Sequence, residues 1–138
     1  MSARVRPRLI LADDSSVIRE AIAGLLRLDY DIVAAVHDGA ELVEAAGRLH
    51  PDAIVTDMEM PRLSGLLALR RLRSEGSTAK FVFLTVNADP ALAAWVLDEG
   101  ASAYVVKDAA AEDLPLAIQE VLRGGTYVTA RIARLLPI

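Results

Sequence analysis

The stretch Leu9-Ile10-Leu11-Ala12-Asp13-Asp14 decides the fold class, because a wholly apolar run ends abruptly in two acids. A second run of the same kind, Ala53-Ile54-Val55-Thr56, ends in Asp57. Runs without polar alternation are typical of strands that are covered on both faces, as in parallel sheets. Since the carboxyl ends of parallel strands meet at one edge, we expect these three carboxylates to converge there, where open α/β sheets bind ligands.

Outward from these runs, the chain alternates between short apolar runs and longer stretches with helical spacing. The predicted strands are residues 9–12, 32–36, 53–56, 81–85 and 103–106. The predicted helices are residues 16–28, 40–49, 65–74, 90–99 and 110–123. This succession of strand–helix units predicts a three-layer α/β/α fold around a parallel sheet with right-handed crossovers.

The composition excludes several kinds of site. There is no cysteine, which rules out disulfides, thiolate zinc sites and cysteine nucleophiles. The two histidines are too few for a histidine-rich metal site, and a formal charge of −4 provides no general attraction to nucleic acid. No apolar run approaches the ~20 residues of a membrane span, and the basic start at residues 1–8 has no signal-type apolar segment. We therefore expect one cytoplasmic domain that contacts neither nucleic acid nor membrane.

The converging acids predict a metal-assisted chemical site. Three carboxylates would repel one another unless cations neutralise them, and Mg²⁺ binds through one or two carboxylates while keeping several waters. Asp13 and Asp14 fit that requirement, although helix N-capping is the structural alternative for them. Asp57 is either a turn acid or a nucleophile that forms an aspartyl phosphate.

Two further side chains reach the same edge of the predicted sheet. Lys107 follows the fifth predicted strand, and Thr85 ends the fourth. Taken alone, the lysine is typical of a solvated surface charge and the threonine of ordinary strand preference. Beside three acids, they favour phosphoryl transfer, which needs little beyond positioning and charge neutralisation.

Together, Asp13-Asp14, Asp57 with Met60-Pro61, Thr85 and the run from Gly100 to Lys107 resemble the receiver domain of two-component response regulators. The resemblance covers residues 8–123 and implies a five-stranded parallel sheet of the flavodoxin-like (CheY-like) order 2-1-3-4-5. It implies a switch that accepts a phosphoryl group from a sensor histidine kinase and assists its own phosphorylation and dephosphorylation. It also allows a homodimer that forms on phosphorylation.

The resemblance implies a role for each residue of the site. Asp57 is the expected phosphoacceptor, and Lys107 is similar to the lysine that contacts the phosphoryl group. The expected ligands of Mg²⁺ are Asp13, Asp14, Asp57 and the backbone carbonyl of Met58. Thr85 and Tyr104 resemble the switch pair of the family, in which the hydroxyl moves to the phosphoryl oxygen and the aromatic ring swings inward.

Three positions depart from the family pattern. Asp108 follows the lysine where the family often has a cis-proline, and a cis bond before Asp108 would cost several kcal/mol more. Val86 is larger than the usual alanine or glycine and is expected to restrict access to the phosphoryl group. Glu59 places an additional acid beside the site.

The end of the chain resembles one subfamily in particular. Lys107-Asp108 and Gly124-Gly125-Thr126-Tyr127 are similar to receivers that precede a LuxR-type helix-turn-helix domain and control transcription through it. Residues 124–138 are expected to be a linker or a short C-terminal helix that Thr129 N-caps. The chain is expected to be either a shortened regulator, which its abrupt end favours, or a stand-alone receiver that acts through protein contacts.

Three other functions are weighed against this one. A small phosphatase that turns over through an aspartyl phosphate would use a second acid two residues after the nucleophile, which Glu59 imitates weakly. A flavodoxin-like cofactor carrier is disfavoured because its first loop would not begin with two acids. A degenerate receiver that serves as a dimerisation module is disfavoured because every reactive position is filled.

Overall fold

The apolar runs form the central sheet of an α/β/α fold in the computed structural model, which describes residues 5–136. The strands are β1 (Arg8–Ala12), β2 (Asp31–Val36), β3 (Ala53–Asp57), β4 (Lys80–Thr85), β5 (Ala103–Val106) and β6 (Tyr127–Val128). The helices are α1 (Ser16–Leu26), α2 (Gly39–Leu49), α3 (Gly65–Ser74), α4 (Pro90–Asp98), α5 (Ala110–Leu122) and α6 (Ala130–Ala133), and a 3-10 turn covers Lys107–Ala109.

All neighbouring strands are parallel and follow the order β2-β1-β3-β4-β5-β6. The α/β class and the order of the first five strands are therefore as predicted, but the prediction of a five-stranded sheet is wrong. Tyr127 and Val128 pair with Ala103 and Tyr104 as a sixth strand. A strand of two residues is too short to produce a periodic pattern, so its pairing depends on tertiary contacts.

The sheet separates two apolar layers, which explains why the strands are apolar on both faces. One layer packs α2, α3, α4 and α6 on the sheet, and the other packs α1 and α5 on the opposite face. Fully buried side chains of the sheet include Leu9, Ile10, Ile54, Phe81, Phe83 and Tyr104. Because both faces of the sheet are covered, the residues that follow the strand ends extend directly from a packed core.

Local signals mark the helix boundaries. The Asp89 side chain accepts a hydrogen bond from Ala91 N–H, and Pro90 opens α4. Gly76 and Gly100 adopt φ values of 89° and 114° just after α3 and α4, a conformation that glycine adopts without strain. Thr129 immediately precedes α6, as predicted, but its side chain does not cap that helix.

The boundary between a domain at residues 8–123 and a tail at 124–138 stays a prediction. Within the described part of that tail, β6 and α6 pack on the sheet, and Ile132 is buried in its core. Residues 137 and 138 lie outside the described part of the chain. Among residues 5–136, no helix combines the length and apolar character that crossing a bilayer requires.

Candidate functional site

The acids at the carboxyl ends of β1 and β3 meet at one edge of the sheet. Oxygens of Asp13, Asp14 and Asp57 lie within 4.8 Å of one another. Asp13 and Asp57 are buried, whereas Asp14 is exposed to solvent. The convergence expected from parallel strands is therefore present, and it creates a strongly negative pocket with one open side.

Both carboxylate oxygens of Asp57 have a hydrogen-bond donor. Glu59 N–H donates to Oδ1 at 3.0 Å, and Lys107 Nζ donates to Oδ2 at 2.9 Å. Asp57 ends β3, where Met58 N–H donates to Leu84 O at 3.1 Å and so anchors the start of the following loop. These contacts hold the carboxylate in one orientation at the rim of the core.

Gly65 allows the loop after Asp57 to close over the end of the sheet. A side-chain carbon at Gly65 would lie 2.5 Å from the Asp57 carbonyl oxygen and 2.8 Å from the Phe83 ring. The close approach lets Gly65 N–H donate to Met58 O at 2.9 Å. That carbonyl keeps a second lone pair that a ligand can use.

Asp13 has an uneven environment. Its Oδ1 accepts a hydrogen bond from Ser15 N–H at 2.9 Å, while its buried Oδ2 has no hydrogen-bond donor among the described residues. Lys107 Nζ lies 3.2 Å from that Oδ2, near enough for charge attraction but without hydrogen-bond geometry. Burial raises the pKa of Asp13, and the Asp57 charge adds to the rise against the opposing Ser15 and Lys107 contacts.

The capping alternative for Asp13 and Asp14 is wrong, because Ser15 is the residue that caps α1. Its hydroxyl accepts a hydrogen bond from Ile18 N–H at 3.3 Å. The two acids are thus free to face the pocket. Arg19, in the first turn of α1, donates to the backbone carbonyl of Asp13 at 2.6 Å and tethers the strand end from outside.

Lys107 joins the two buried acids. Its side chain is 21% exposed and ends between Asp13 and Asp57. Burial alone would lower its pKa, but the hydrogen bond and charge of Asp57, together with the nearby Asp13 carboxylate, raise the pKa above the usual value. The ammonium group is therefore charged at any physiological pH and neutralises only part of the negative charge of the pocket.

The donor set fits a hard divalent cation. Three carboxylates face one ammonium group, and one buried carboxylate oxygen has no donor. Oxygen ligands with open access to water are those that Mg²⁺ prefers. The residues present here could therefore hold Mg²⁺.

Thr85 ends β4, and Tyr104 is the second residue of the neighbouring strand β5. The Thr85 hydroxyl accepts a hydrogen bond from Asn87 N–H at 3.0 Å. Tyr104 is fully buried, and its hydroxyl donates to Asn87 O at 2.6 Å. The aromatic ring therefore occupies an inward position, fixed through the loop that connects β4 to α4.

Sequence reasoning missed the backbone groups that orient this site. Glu59 N–H, Ser15 N–H and the Asn87 carbonyl have no side-chain signature, so only their position next to a strand end could have indicated them. Arg19 follows Asp13 by six residues, a spacing that returns it to the strand end after one helical turn. Val86, predicted to restrict access, is 81% exposed beside the pocket.

Comparison with known proteins agrees with this geometry. The model of the response regulator receiver domain family matches residues 9–119. Transcriptional regulatory protein LnrK of Bacillus subtilis (strain 168) is 36% identical over 120 residues, which cover 86% of this chain and 54% of LnrK. The chain thus spans about half the length of that relative.

Solved structures of similar shape belong to the same group. The two-component response regulator of the LuxR family from Aurantimonas sp. SI85-9A1 has a TM-score of 0.87 at 30% identity, covering 94% of each chain. A structure of two RcsB dimers bound to two parallel DNAs has a TM-score of 0.85 at 25% identity, covering 95% of this chain and 68% of that one. With its acidic pocket at the carboxyl edge of the sheet, this chain belongs to the receiver domains of two-component response regulators and is related to transcription regulators of the LuxR family.

Proposed function

We propose that Asp57 accepts a phosphoryl group from a sensor histidine kinase, and that this modification switches the contacts of the chain to control transcription. The observation that carries the proposal is the placement of Lys107 Nζ at 2.9 Å from Asp57 Oδ2, with Asp13 and Asp14 oxygens within 4.8 Å. Neither the phosphatase nor the dimerisation-module alternative is favoured, because the family match and the relatives point to regulators.

In the proposed reaction an Asp57 carboxylate oxygen attacks phosphorus, forming an O–P bond as the N–P bond of the phosphohistidine breaks. The electron pair of that bond returns to the imidazole nitrogen, which takes a proton from solvent. Glu59 N–H and Lys107 keep the carboxylate oriented for attack. Lys107 then follows the negative charge from the carboxylate to the phosphoryl oxygens.

Asp13, Asp14, Asp57 and the Met58 carbonyl are the proposed holders of Mg²⁺. When bound, the ion would neutralise charge that accumulates on the phosphoryl oxygens. Asp13 Oδ2 is the side-chain oxygen most in need of such a partner, because it is buried without a hydrogen-bond donor among residues 5–136. The same neutralised pocket would assist hydrolysis, so the domain would promote its own dephosphorylation.

Thr85 and Tyr104 are the proposed switch pair. A phosphoryl group on Asp57 would accept a hydrogen bond from the Thr85 hydroxyl, whose oxygen accepts from Asn87 N–H. Thr85 lies one position beyond the β4 residue paired with Asp57, so turning its hydroxyl toward the phosphoryl group would pull on the loop at Asn87. Tyr104 bonds to the same loop through Asn87 O, so a shift of the loop would move the ring. Phosphorylation would thus change the surface around β5 and α4, and with it partner or dimer contacts.

The direct test is intact mass after incubation with Mg²⁺ and acetyl phosphate. We expect one phosphoryl adduct on the wild type, none after chelation of Mg²⁺, and none on Asp57→Asn. Asp98→Asn is the matched control, because Asp98 is an exposed acid on α4 without an ion pair among the described residues. An adduct that persists on Asp57→Asn, or the absence of any adduct on the wild type, would overturn the proposal.

A further inference from the structure

The C-terminal segment at residues 126–136 lies along the strand that leads to Lys107. Its strand β6 is hydrogen-bonded alongside β5. Tyr127 N–H donates to Ser102 O at 3.1 Å, and Thr129 N–H donates to Tyr104 O at 3.1 Å. Ile132 of α6 is buried in the same core layer as Tyr104. The segment is therefore an integral edge of the sheet on the side of the switch aromatic.

At Thr129 the backbone can no longer continue the ladder. Its carbonyl accepts hydrogen bonds from Ile132 and Ala133 N–H, at 2.9 and 3.0 Å, because α6 begins there. The Thr129 hydroxyl replaces that carbonyl as hydrogen-bond acceptor: Val106 N–H donates to it at 3.1 Å, in a buried position. This substitution explains why Thr129 does not use its side chain to cap α6, and it secures the last strand residue before Lys107.

Asp113 of α5 determines which way that hydroxyl points. Thr129 Oγ1 donates its single proton to Asp113 Oδ2 at 2.8 Å, which leaves its lone pairs for Val106 N–H. Tyr127 OH donates to the other oxygen of the same carboxylate at 2.9 Å. Both Asp113 oxygens are thus engaged by the segment, and burial together with the Asp113 charge raises the pKa of Tyr127 to about 12.

The segment also contacts the residue after Lys107. Arg131 pairs with both oxygens of Asp108, at 3.0 and 3.1 Å, at the position where the family often has proline. Both side chains are largely exposed, so this pair contributes little. The buried hydrogen bond from Val106 N–H to the Thr129 hydroxyl is the contact that should fix the backbone position from which the Lys107 side chain extends.

We propose that Thr129, oriented by Asp113, is a positioning residue for Lys107, so that phosphorylation of Asp57 depends on the docking of residues 126–136 along β5. This inference rests on the proposed function and adds to it a regulation of the same site. By linkage, a phosphoryl group that recruits Lys107 also strengthens the docking of the segment.

The test compares three variants of the 138-residue chain. Thr129→Val keeps the shape of the side chain and removes its hydroxyl, whereas Thr129→Ser keeps the hydroxyl and removes the methyl group. Thr126→Val is the control, because it makes the same Thr→Val substitution at an exposed threonine. Two quantities are measured: the rate of phosphorylation by acetyl phosphate with Mg²⁺, and hydrogen exchange of the Val106 and Lys107 amides in the unmodified protein.

We expect Thr129→Val to slow phosphorylation by about tenfold, because small misplacements of a catalytic group weaken its action. Val106 N–H should exchange faster by about tenfold or more, since it loses its acceptor. Thr129→Ser should restore both quantities to near the wild-type values, and Thr126→Val should leave both unchanged. A wild-type rate for Thr129→Val, or equal slowing by Thr129→Val and Thr129→Ser, would overturn the inference.

The exchange measurement separates this inference from the proposed function. If the wild type accepts no phosphoryl group, the proposed function fails, and unchanged Val106 exchange in Thr129→Val would refute the positioning contact independently. If the wild type is phosphorylated and Thr129→Val matches its rate, the inference fails while the proposed function stands.

Discussion

Two groups of potential metal ligands lie at the same edge of the sheet, and they differ in how their charges are matched. Asp13 and Asp14 follow β1, and Asp57 ends β3. His37 and Asp38 follow β2, the strand next to β1, and Glu41 lies in the first turn of α2. In each group the ligand atoms lie within 4.8 Å of one another. By spacing alone, both could hold an ion.

The second group satisfies its own buried acid. Asp38 caps α2 by accepting from Glu41 N–H at 2.8 Å, and Arg62 Nε lies 3.1 Å from its other oxygen. The Glu41 hydrogen bond, followed by the charges of Arg62 and His37, lowers the pKa of Asp38. His37 Nδ1 lies 2.9 Å from Glu41 Oε1, so that acid is paired as well.

The first group leaves its charge unmatched. The pKa of Asp13 is raised where that of Asp38 is lowered, and Asp13 Oδ2 has no hydrogen-bond donor among the described residues. Proximity of acidic side chains therefore does not by itself define a functional site. A buried carboxylate oxygen without a hydrogen-bond donor is the more informative signal. One group stabilises a helix end, and the other has free capacity for a cation.

The largest expected difference between the groups concerns their cations. Lys107→Met should slow phosphorylation by about 100-fold, because it removes a positioned charge from the reacting carboxylate. Arg62→Met, the matched change in the second group, should alter the rate by less than about twofold, since Arg62 is paired with Asp38 and not with the reacting Asp57. Phosphorylation rates, measured by intact mass with acetyl phosphate, test this difference. Similar losses of rate in the two variants would contradict it.

Binding of Mg²⁺ should separate the acids themselves. Asp13→Asn should weaken binding by at least about tenfold, because Mg²⁺ depends on one or two carboxylates. Asp38→Asn should leave the affinity unchanged. Calorimetric titration of unphosphorylated protein provides the measurement, and a normal affinity for Asp13→Asn would remove Asp13 from the proposed ligands.

The stability of the metal-free protein should change in opposite directions. Asp13→Asn should raise the melting temperature by about 3 °C, because it removes a buried charge next to Asp57 while Lys107 keeps its stronger partner. Asp38→Ala should lower it by a similar amount of about 3 °C through loss of the helix cap. Thermal unfolding followed by circular dichroism tests both; a decrease in both variants would show that Asp13 is structurally satisfied.

The smallest expected effect is the pH dependence of the second group. The folded-state pKa of Asp38 is lowered from 3.8, so the unfolded chain binds the proton first as pH falls. Its stabilising effect is therefore complete above 3.8 and is lost as pH falls through the lower folded value. The urea midpoint of the wild type should approach that of Asp38→Asn in acid; a difference independent of pH would contradict the assignment.

Much of the site is predictable from the residues at the strand ends. Apolar runs ending in Asp13, Asp57 and Lys107 placed these groups at one edge, because parallel strands share a direction. Asp38 and Glu41 have the spacing of a capping box, a local signal that indicates the helix cap at Asp38 but not its ion pair. Its partner Arg62 comes from another loop, and no local pattern predicts that contact.

The same division applies to the end of the chain. Residues 124–138 were predicted as a linker or short helix, and the position of Thr129 before α6 was correct, but its hydroxyl bonds to Val106 and Asp113 instead. Local sequence determines where apolar runs begin and end, because hydrophobic periodicity and capping act over a few residues. Packing of distant elements decides which polar atom completes the edge of the sheet, and it decides that Asp13 Oδ2 has no donor among the described residues. The reason is that buried polar groups form hydrogen bonds with whatever groups the fold brings next to them.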